Sequence, residues 1–445
     1  MTNLEQILYL KWVGNYGENN RKIGRWNVTW IGITMNKIGG QYSNDGKKQG
    51  SWIEIFQNFW TRAQVYEFGG YFNNLRHGYW RYLYKGEIID GGEYNEVGEK
   101  SGNWHQLSDN FWDESQVAYS GEYQKGKKIG SWSILIRRTT NNKFQKIGGG
   151  SYDKEGQGIK TGYWIDLSEE FRNSAQIVYS GEYQNGNKVG KWNIFYRRAF
   201  DNKFKPIGGG CYDKGGQGIK IGKWGVLSEE FRDVSQIIEV GEYKNGNKTG
   251  SWSSFYRGTP DNEFKLIGGG FYDVRGQGIK IGRWIELSDG FWYYSQVTNI
   301  GIYQNGKKVG QWETFFNYGG QQKIGGGSYD KSANGNKIEK WVELSDRFFS
   351  NSQIFLKGSY KDGKKIGAWQ IVGRNWNEQD LSLIGGGSYD TQGCGLKVGK
   401  WVELDDWYSS DSKVTYSGKY QRAKKVGNWV VIIDYLEYSK IQYDI

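Results

Sequence analysis

In residues 179–197, YSGEYQNGNKVGKWNIFYR, aromatic and glycine positions alternate with polar ones on both sides of Asn185-Gly186. A period of two is that of a β-strand, whose successive side chains point to opposite faces. Asn-Gly between two such runs predicts a hairpin with a type I′ turn, which needs positive φ at both central residues. With the turn centred there, Tyr183 is expected to face Lys188, Gly181 to face Gly190, and Tyr179 to face Trp192. Tyr179, Gly181, Tyr183, Gly190 and Trp192 then share one face. Opposed glycines leave bare backbone on which an aromatic ring of the neighbouring hairpin can lie. A lone hairpin is marginal in water, so each is expected to need the next.

The phrase recurs. The glycine of its first half falls at Gly121, Gly181, Gly241, Gly301, Gly358 and Gly418, at steps of 60, 60, 60, 57 and 60 residues. Between these copies runs a second phrase, GGGSYDKEGQGIKTGYWIDLSEEF at 148–171, with the same long period. Both place a glycine two residues before a tryptophan. That pair indexes the chain at Trp26, Trp52, Trp80, Trp104, Trp132, Trp164, Trp192, Trp224, Trp252, Trp284, Trp312, Trp341, Trp369, Trp401 and Trp429; only Trp341 lacks the glycine, with Glu339 in its place. Internal periods of this size mark a repeat architecture. The expected fold is all-β: one continuous array over 1–445 of antiparallel hairpins in a long, twisted, single-layer sheet. Residues 1–118 hold shorter, divergent units, and 119–445 the regular ones. Fifteen hairpins, at two strand spacings each, would extend on the order of 140 Å. The connections after the second phrase offer Phe171, expected to cover the other face, with Ile165, Leu167 and Phe195, near one edge.

Composition narrows the class. Glycine is 68 of 445 residues, proline 2 and tryptophan 22, too aromatic for a chain that stays disordered. The first residues, MTNLEQILYLKWVGNYG, carry no signal-peptide pattern, and no run has the length of a membrane-spanning helix. Two distant cysteines, Cys211 and Cys394, make no disulfide framework, so a soluble, cytoplasmic protein is expected. The net charge of +11 admits anionic partners.

The first phrase resembles the MORN repeat (membrane occupation and recognition nexus), whose pattern runs Y-x-G-x-W-x-x-G-x-x-x-G-x-G. Tyr179, Gly181, Gly186 and Gly190 match it; Tyr183 stands where the family usually has tryptophan, and Trp192 where it often has glycine. The chain is therefore similar to the variant MORN-like repeats. The resemblance implies scaffolding: tethering membranes, building ciliary, cortical or other cytoskeletal structures, or dimerising as rods. The expected function is a non-enzymatic scaffold or adaptor that binds protein partners. The terminal hairpins, around Trp12–Trp26 and Trp429–Tyr443, are expected to pair with a partner or another copy.

Candidate chemistry is sparse. His77 and His105 are the only histidines, too few for a triad or a metal cluster. The aspartates of the second phrase, Asp153, Asp213, Asp273, Asp330 and Asp390, invite comparison with calcium loops, but the nine-residue period is missing, and turn initiation is the simpler role. The paired acids Glu169-Glu170, Glu229-Glu230 and Asp405-Asp406 read as a solvated edge. No catalytic residue, cofactor or metal site is expected. Lysines gather at the turns: Lys127, Lys128, Lys188, Lys248, Lys307, Lys308, Lys364, Lys365, Lys424 and Lys425, with Lys160, Lys220, Lys280 and Lys397 from the second phrase. They are expected to form a basic edge. The alternative function is a peripheral tether to anionic membrane through that edge. Nucleic acid is disfavoured, because packing explains the periodic aromatics. Trp112, Trp292 and Trp407 lie outside the series and are candidates for carbohydrate contact.

Overall fold

The computed structural model describes residues 4–139, 142–198, 201–229, 231–258, 263–332, 334–374, 380–408 and 412–443. The fold is all-β. Among the described residues thirty-one strands follow one another from Leu10–Tyr16 to Leu436–Tyr443, and the one α-helix is the single turn and a half of Leu4–Tyr9. The chain divides into two compact units, Met1–Ile221 and Gly222–Ile445. In each, strands pair antiparallel with their neighbours in sequence. Seven of the tryptophans that index the repeat lie in the first unit and eight in the second.

The hairpin of the first phrase forms as its sequence dictates at the turn. Strands Gln176–Gln184 and Asn187–Arg197 are joined through Asn185 (φ 49°) and Gly186 (φ 81°), and Tyr183 faces Lys188. Further along, the expected register fails. Between the pairs Glu182↔Val189 and Ser180↔Asn193, one strand advances two residues and the other four. This bulge sets Tyr179 opposite Ile194 rather than Trp192. Gly190 is not a partner bed for Gly181. It turns the bulge with φ 61°, and a Cβ there would meet nothing within 4 Å.

Gly181 is the bed. A Cβ on it would lie 2.4 Å from Cδ2 of Trp192, the indole of its own hairpin rather than of a neighbour. The same contact joins Gly121 to Trp132, Gly150 to Trp164, Gly270 to Trp284 and Gly418 to Trp429, always a glycine on the strand just before. The triple glycine of the second phrase has three separate causes. Gly150 is a bed, Gly149 (φ 124°) passes so close to the Trp132 carbonyl that a Cβ would sit 2.0 Å from it, and Gly148 approaches the Ile165 carbonyl likewise at 2.5 Å.

The strand Gln145–Tyr152 carries a second bulge, at Ile147, which slips its alternation by one residue. A slip of one exchanges the faces. Phe171 therefore does not cover a separate second face. It is buried with Ile134 and Ile136, which share the parity of Trp132, while Ile165, Leu167 and Phe195 of the opposite parity pack against the same cluster. In the second unit Phe291 meets Tyr256 edge-on at 5.1 Å, and Phe348 meets Phe316 at 5.2 Å.

Candidate functional site

The fifteen tryptophans that index the repeat are 1–7 % exposed. Their surroundings are built from four residue types. The glycine lies beneath. A tyrosine stands edge-on at each side: Trp192 lies between Tyr183 (5.2 Å) and Tyr212 (6.1 Å), and Trp284 between Tyr272 (5.0 Å) and Tyr303 (6.0 Å). Rings at these distances and angles attract through their quadrupoles. Trp and Tyr thus alternate as a ladder, to which the second phrase contributes Tyr152, Tyr272, Tyr329 and Tyr389. The indole N–H reaches backbone: Trp164 Nε1 donates to Ser151 O (3.0 Å) and Trp192 Nε1 to Glu182 O (3.2 Å).

Above these indoles lies a cation, four residues back in sequence, as the following units show. Lys188 Nζ is 4.5 Å from the Trp192 ring centroid, Lys160 4.3 Å from Trp164, Lys365 4.0 Å from Trp369 and Lys425 4.2 Å from Trp429. Arg76 does the same over Trp80 at 4.1 Å. An ammonium over an indole face is attracted to its π cloud, and the lysine stem excludes water from the ring. The expected basic edge is therefore two rows, not one. Lys127, Lys307, Lys364 and Lys424 are exposed at the turns. Lys128, Lys188, Lys248, Lys308, Lys365 and Lys425 are half-buried on tryptophan, as are Lys160, Lys280 and Lys397.

In several units a carboxylate two residues after the tryptophan holds two of these cations. Glu286 pairs with Lys280 and, at 2.9 Å, with Lys308, and accepts a hydrogen bond from the Tyr303 hydroxyl at 2.8 Å. Glu343 serves Lys337, Lys365 (3.0 Å) and Tyr360; Glu403 serves Lys397, Lys425 (3.0 Å) and Tyr420. Glu54 joins Lys48, Arg76 (2.7 Å) and Tyr71. Burial raises the carboxyl pKa of Glu286, Glu343 and Glu403, and the adjacent ammoniums more than reverse it, so all three titrate below the ordinary glutamate value.

The position varies, and the repeat becomes its own substitution series. Asp166, one methylene shorter, pairs with Lys160 at 2.6 Å and accepts from Tyr183, but forms no ion pair with Lys188, whose pKa burial lowers. Val226 has no carboxylate; Glu239, directly across the strand pair from it, binds Lys248 at 2.5 Å instead. At Gln106 the hydrogen bond from Tyr123 remains (2.6 Å) and the charge is gone. Burial then pushes Lys100 down to about 8, and burial together with the nearby Lys100 and Lys160 pushes Lys128 down to about 8.

Sequence reasoning named the tryptophans, Gly181 and Tyr183, and missed the carboxylates and the second set of tyrosines. Their signal was present. Positions −4, 0 and +2 around each tryptophan have one parity, so Lys-x-x-x-Trp-x-Glu places three chemistries on one face. Tyr179 is outside the ladder and stands beneath Lys188 at 5.3 Å.

The other candidates have local roles. Asp153 closes its loop by accepting the backbone N–H of Gln157 (2.7 Å) and of Ile159, which lowers its pKa, and Asp213 and Asp273 repeat the arrangement. Glu169 and Glu170 are exposed, Asp405 accepts from the Tyr416 hydroxyl at 2.8 Å, and Glu230 lies outside the described residues. His105 packs edge-on against Phe144 at 5.1 Å, and burial lowers its pKa. Trp112 packs at a tilt against Trp60 and Trp292 edge-on against Tyr294, whereas Trp407 is 71 % exposed under the Arg347 guanidinium. Among the described residues no group of three His, Cys, Asp or Glu could hold a metal ion, and no helix is long and apolar enough to cross a membrane. The chain matches no known family model, and no curated protein is significantly similar to it.

Proposed function

We propose that the protein is a non-enzymatic scaffold or adaptor of MORN-like type, which binds protein partners along its repeated strands in a cytoskeletal, ciliary or cortical setting. One observation carries this reading. The residue just before each tryptophan, pointing away from the aromatic ladder, is exposed in all fifteen units, and its identity changes freely: Arg25, Tyr79, Ser131, Tyr163, Gln311 and Lys400 are examples. A constant frame that displays one variable, solvent-facing position per repeat is how repeat proteins present extended recognition surfaces. Many modest contacts then sum by avidity.

The test is photo-crosslinking in cells, with a benzophenone amino acid at Ser131, Ser251 or Gln311 and, as control, at Lys125 in a turn. Capture of one defined protein from the strand positions, lost on Tyr163→Ala or Lys340→Glu in chains that fold normally, is the expected result. Capture only from the turn, or no dependence on the row, would overturn it. The second reading, a tether to anionic membrane, rests on the exposed turn lysines Lys127, Lys307, Lys364 and Lys424. Sedimentation with phosphatidylserine vesicles that salt reverses, and with neutral vesicles not at all, would put the tether first.

A further inference from the structure

We propose that Lys100 and Lys128 form a binding site for a carboxylate supplied from outside the chain. The inference stands on the internal series and does not depend on the scaffold reading. In three periods of the second unit, two lysines on successive tryptophans share one glutamate, which accepts from both ammoniums and from a tyrosine hydroxyl. In the first unit Glu54 makes the same bridge between Lys48 and Arg76. Lys100 over Trp104 (4.5 Å) and Lys128 over Trp132 (4.2 Å) occupy the equivalent positions, with Tyr123 in the place of the tyrosine. Only the acid is replaced, by Gln106.

The glutamine fills the shape and accepts from Tyr123 Oη, so the tyrosine is satisfied. It brings no charge. Each ammonium has three donors, and neither forms an ion pair with any described carboxylate. Asp109 acts on both through space from an exposed loop position, Glu67 and Arg76 act on Lys100 with opposite signs, and Lys160 adds repulsion at Lys128. Lys160 is itself neutralised by Asp166, and Lys188 beyond it has no acid of its own. The strands from Lys100–Leu107 to Asn187–Arg197 thus set four half-buried lysines against one carboxylate, where the second unit sets two against one. Two partly desolvated cations without a counter-ion form charge-assisted hydrogen bonds at little further cost in burial. The bidentate, singly charged acceptor that the other periods use is a carboxylate, free or on an acidic side chain.

The experiment uses the full chain with 13Cε-labelled lysine. Glutarate and a short polyglutamate peptide are titrated separately at constant ionic strength, near neutral pH, and the lysine signals are followed. The expected result is a saturable shift of Lys100 and Lys128 at a concentration about tenfold lower than moves Lys308 or Lys365, equivalent to about one extra charge-assisted hydrogen bond. Gln106→Glu supplies the acid in cis and should abolish the shift without lowering the thermal midpoint. Tighter binding of peptide than of glutarate would identify a protein side chain as the source, and the reverse a small molecule. Shifts no stronger than at Lys308, or persistence of binding in folded Gln106→Glu, would overturn the proposal.

Discussion

Gly181 and Gly190 are glycine for different physical reasons, and substitutions should separate them. Gly181→Ala drives a methyl into the Trp192 ring and is expected to cost about 1–3 kcal/mol, as other overpacked sites do. Gly190→Ala meets no atom but keeps a left-handed backbone, so about 1 kcal/mol of strain is expected. Urea unfolding of the two variants should rank them in that order. The converse case already exists in the sequence. Glu339 holds φ 60° at the position that is glycine before every other indexed tryptophan. Glu339→Gly relieves strain and adds some unfolded-chain entropy, and a net gain of about 0.5–1 kcal/mol is expected from the same measurement.

Titration at the residue scale follows from Gln106. Lys100 and Lys128 titrate near 8 in the folded chain, against 10.5 for an ordinary lysine. Between those values the unfolded chain binds more protons than the folded one, so stability contributed by these groups rises with pH. Above about 10 half-buried tyrosines such as Tyr152 and Tyr272 oppose it, because their raised pKa values keep them protonated only in the folded state. The urea midpoint should therefore climb from pH 8 to about pH 10, and Gln106→Glu, which lifts both lysines, should flatten the climb. An equal slope in the variant would show that the slope arises elsewhere.

At the scale of the element, the hairpin is defined by its bulge as much as by its turn. The two extra residues around Gly190 carry Trp192 over Gly181 and line up Lys188, Trp192 and the cross-strand tyrosines on one face. The bulge at Ile147 then exchanges faces toward the far edge, so the loop phenylalanines join a cluster drawn from both parities. Within this frame the acid at position +2 sets how many lysines are held. Asp166→Glu lengthens the reach by one methylene and should pair Lys188 as well as Lys160. A gain of about 0.5–1 kcal/mol is expected, since the new contact is half-buried rather than fully exposed. Loss of that gain in the Lys188→Met background would identify the pair as its source.

On the scale of the whole molecule, repetition makes function a matter of what the frame leaves free. Glycine, tryptophan, tyrosine, lysine and glutamate are largely committed to the ladder, and the solvent-facing position before each tryptophan is not. In the second unit that position is basic in every second-phrase strand: Lys223, Arg283, Lys340 and Lys400. Reversing these four charges touches no ladder contact, so the thermal midpoint should stay within the small range of surface substitutions, about 0.5 kcal/mol each. Any salt-dependent association with phosphatidylserine vesicles should weaken if that face contributes, and stay unchanged if only the turn lysines do.

The sequence by itself determined the repeat, its period, the Asn-Gly turns and the all-β class, because each rests on local rules: turn chemistry, side-chain alternation and the steric freedom of glycine. It could also have revealed the Lys-x-x-x-Trp-x-Glu face, since even spacing along a strand needs no tertiary knowledge. The tertiary structure alone decided the rest. Which glycine carries a ring and which turns the chain depends on a bulge that shifts register between strands, and composition does not encode its place. Whether a lysine is a free charge or the lid of an indole depends on where the neighbouring strand puts its carboxylate. In that sense Lys127 and Lys128 are adjacent in sequence and chemically distinct in the fold: one side chain faces water, and the other lies on Trp132 beside an acid position that here is Gln106.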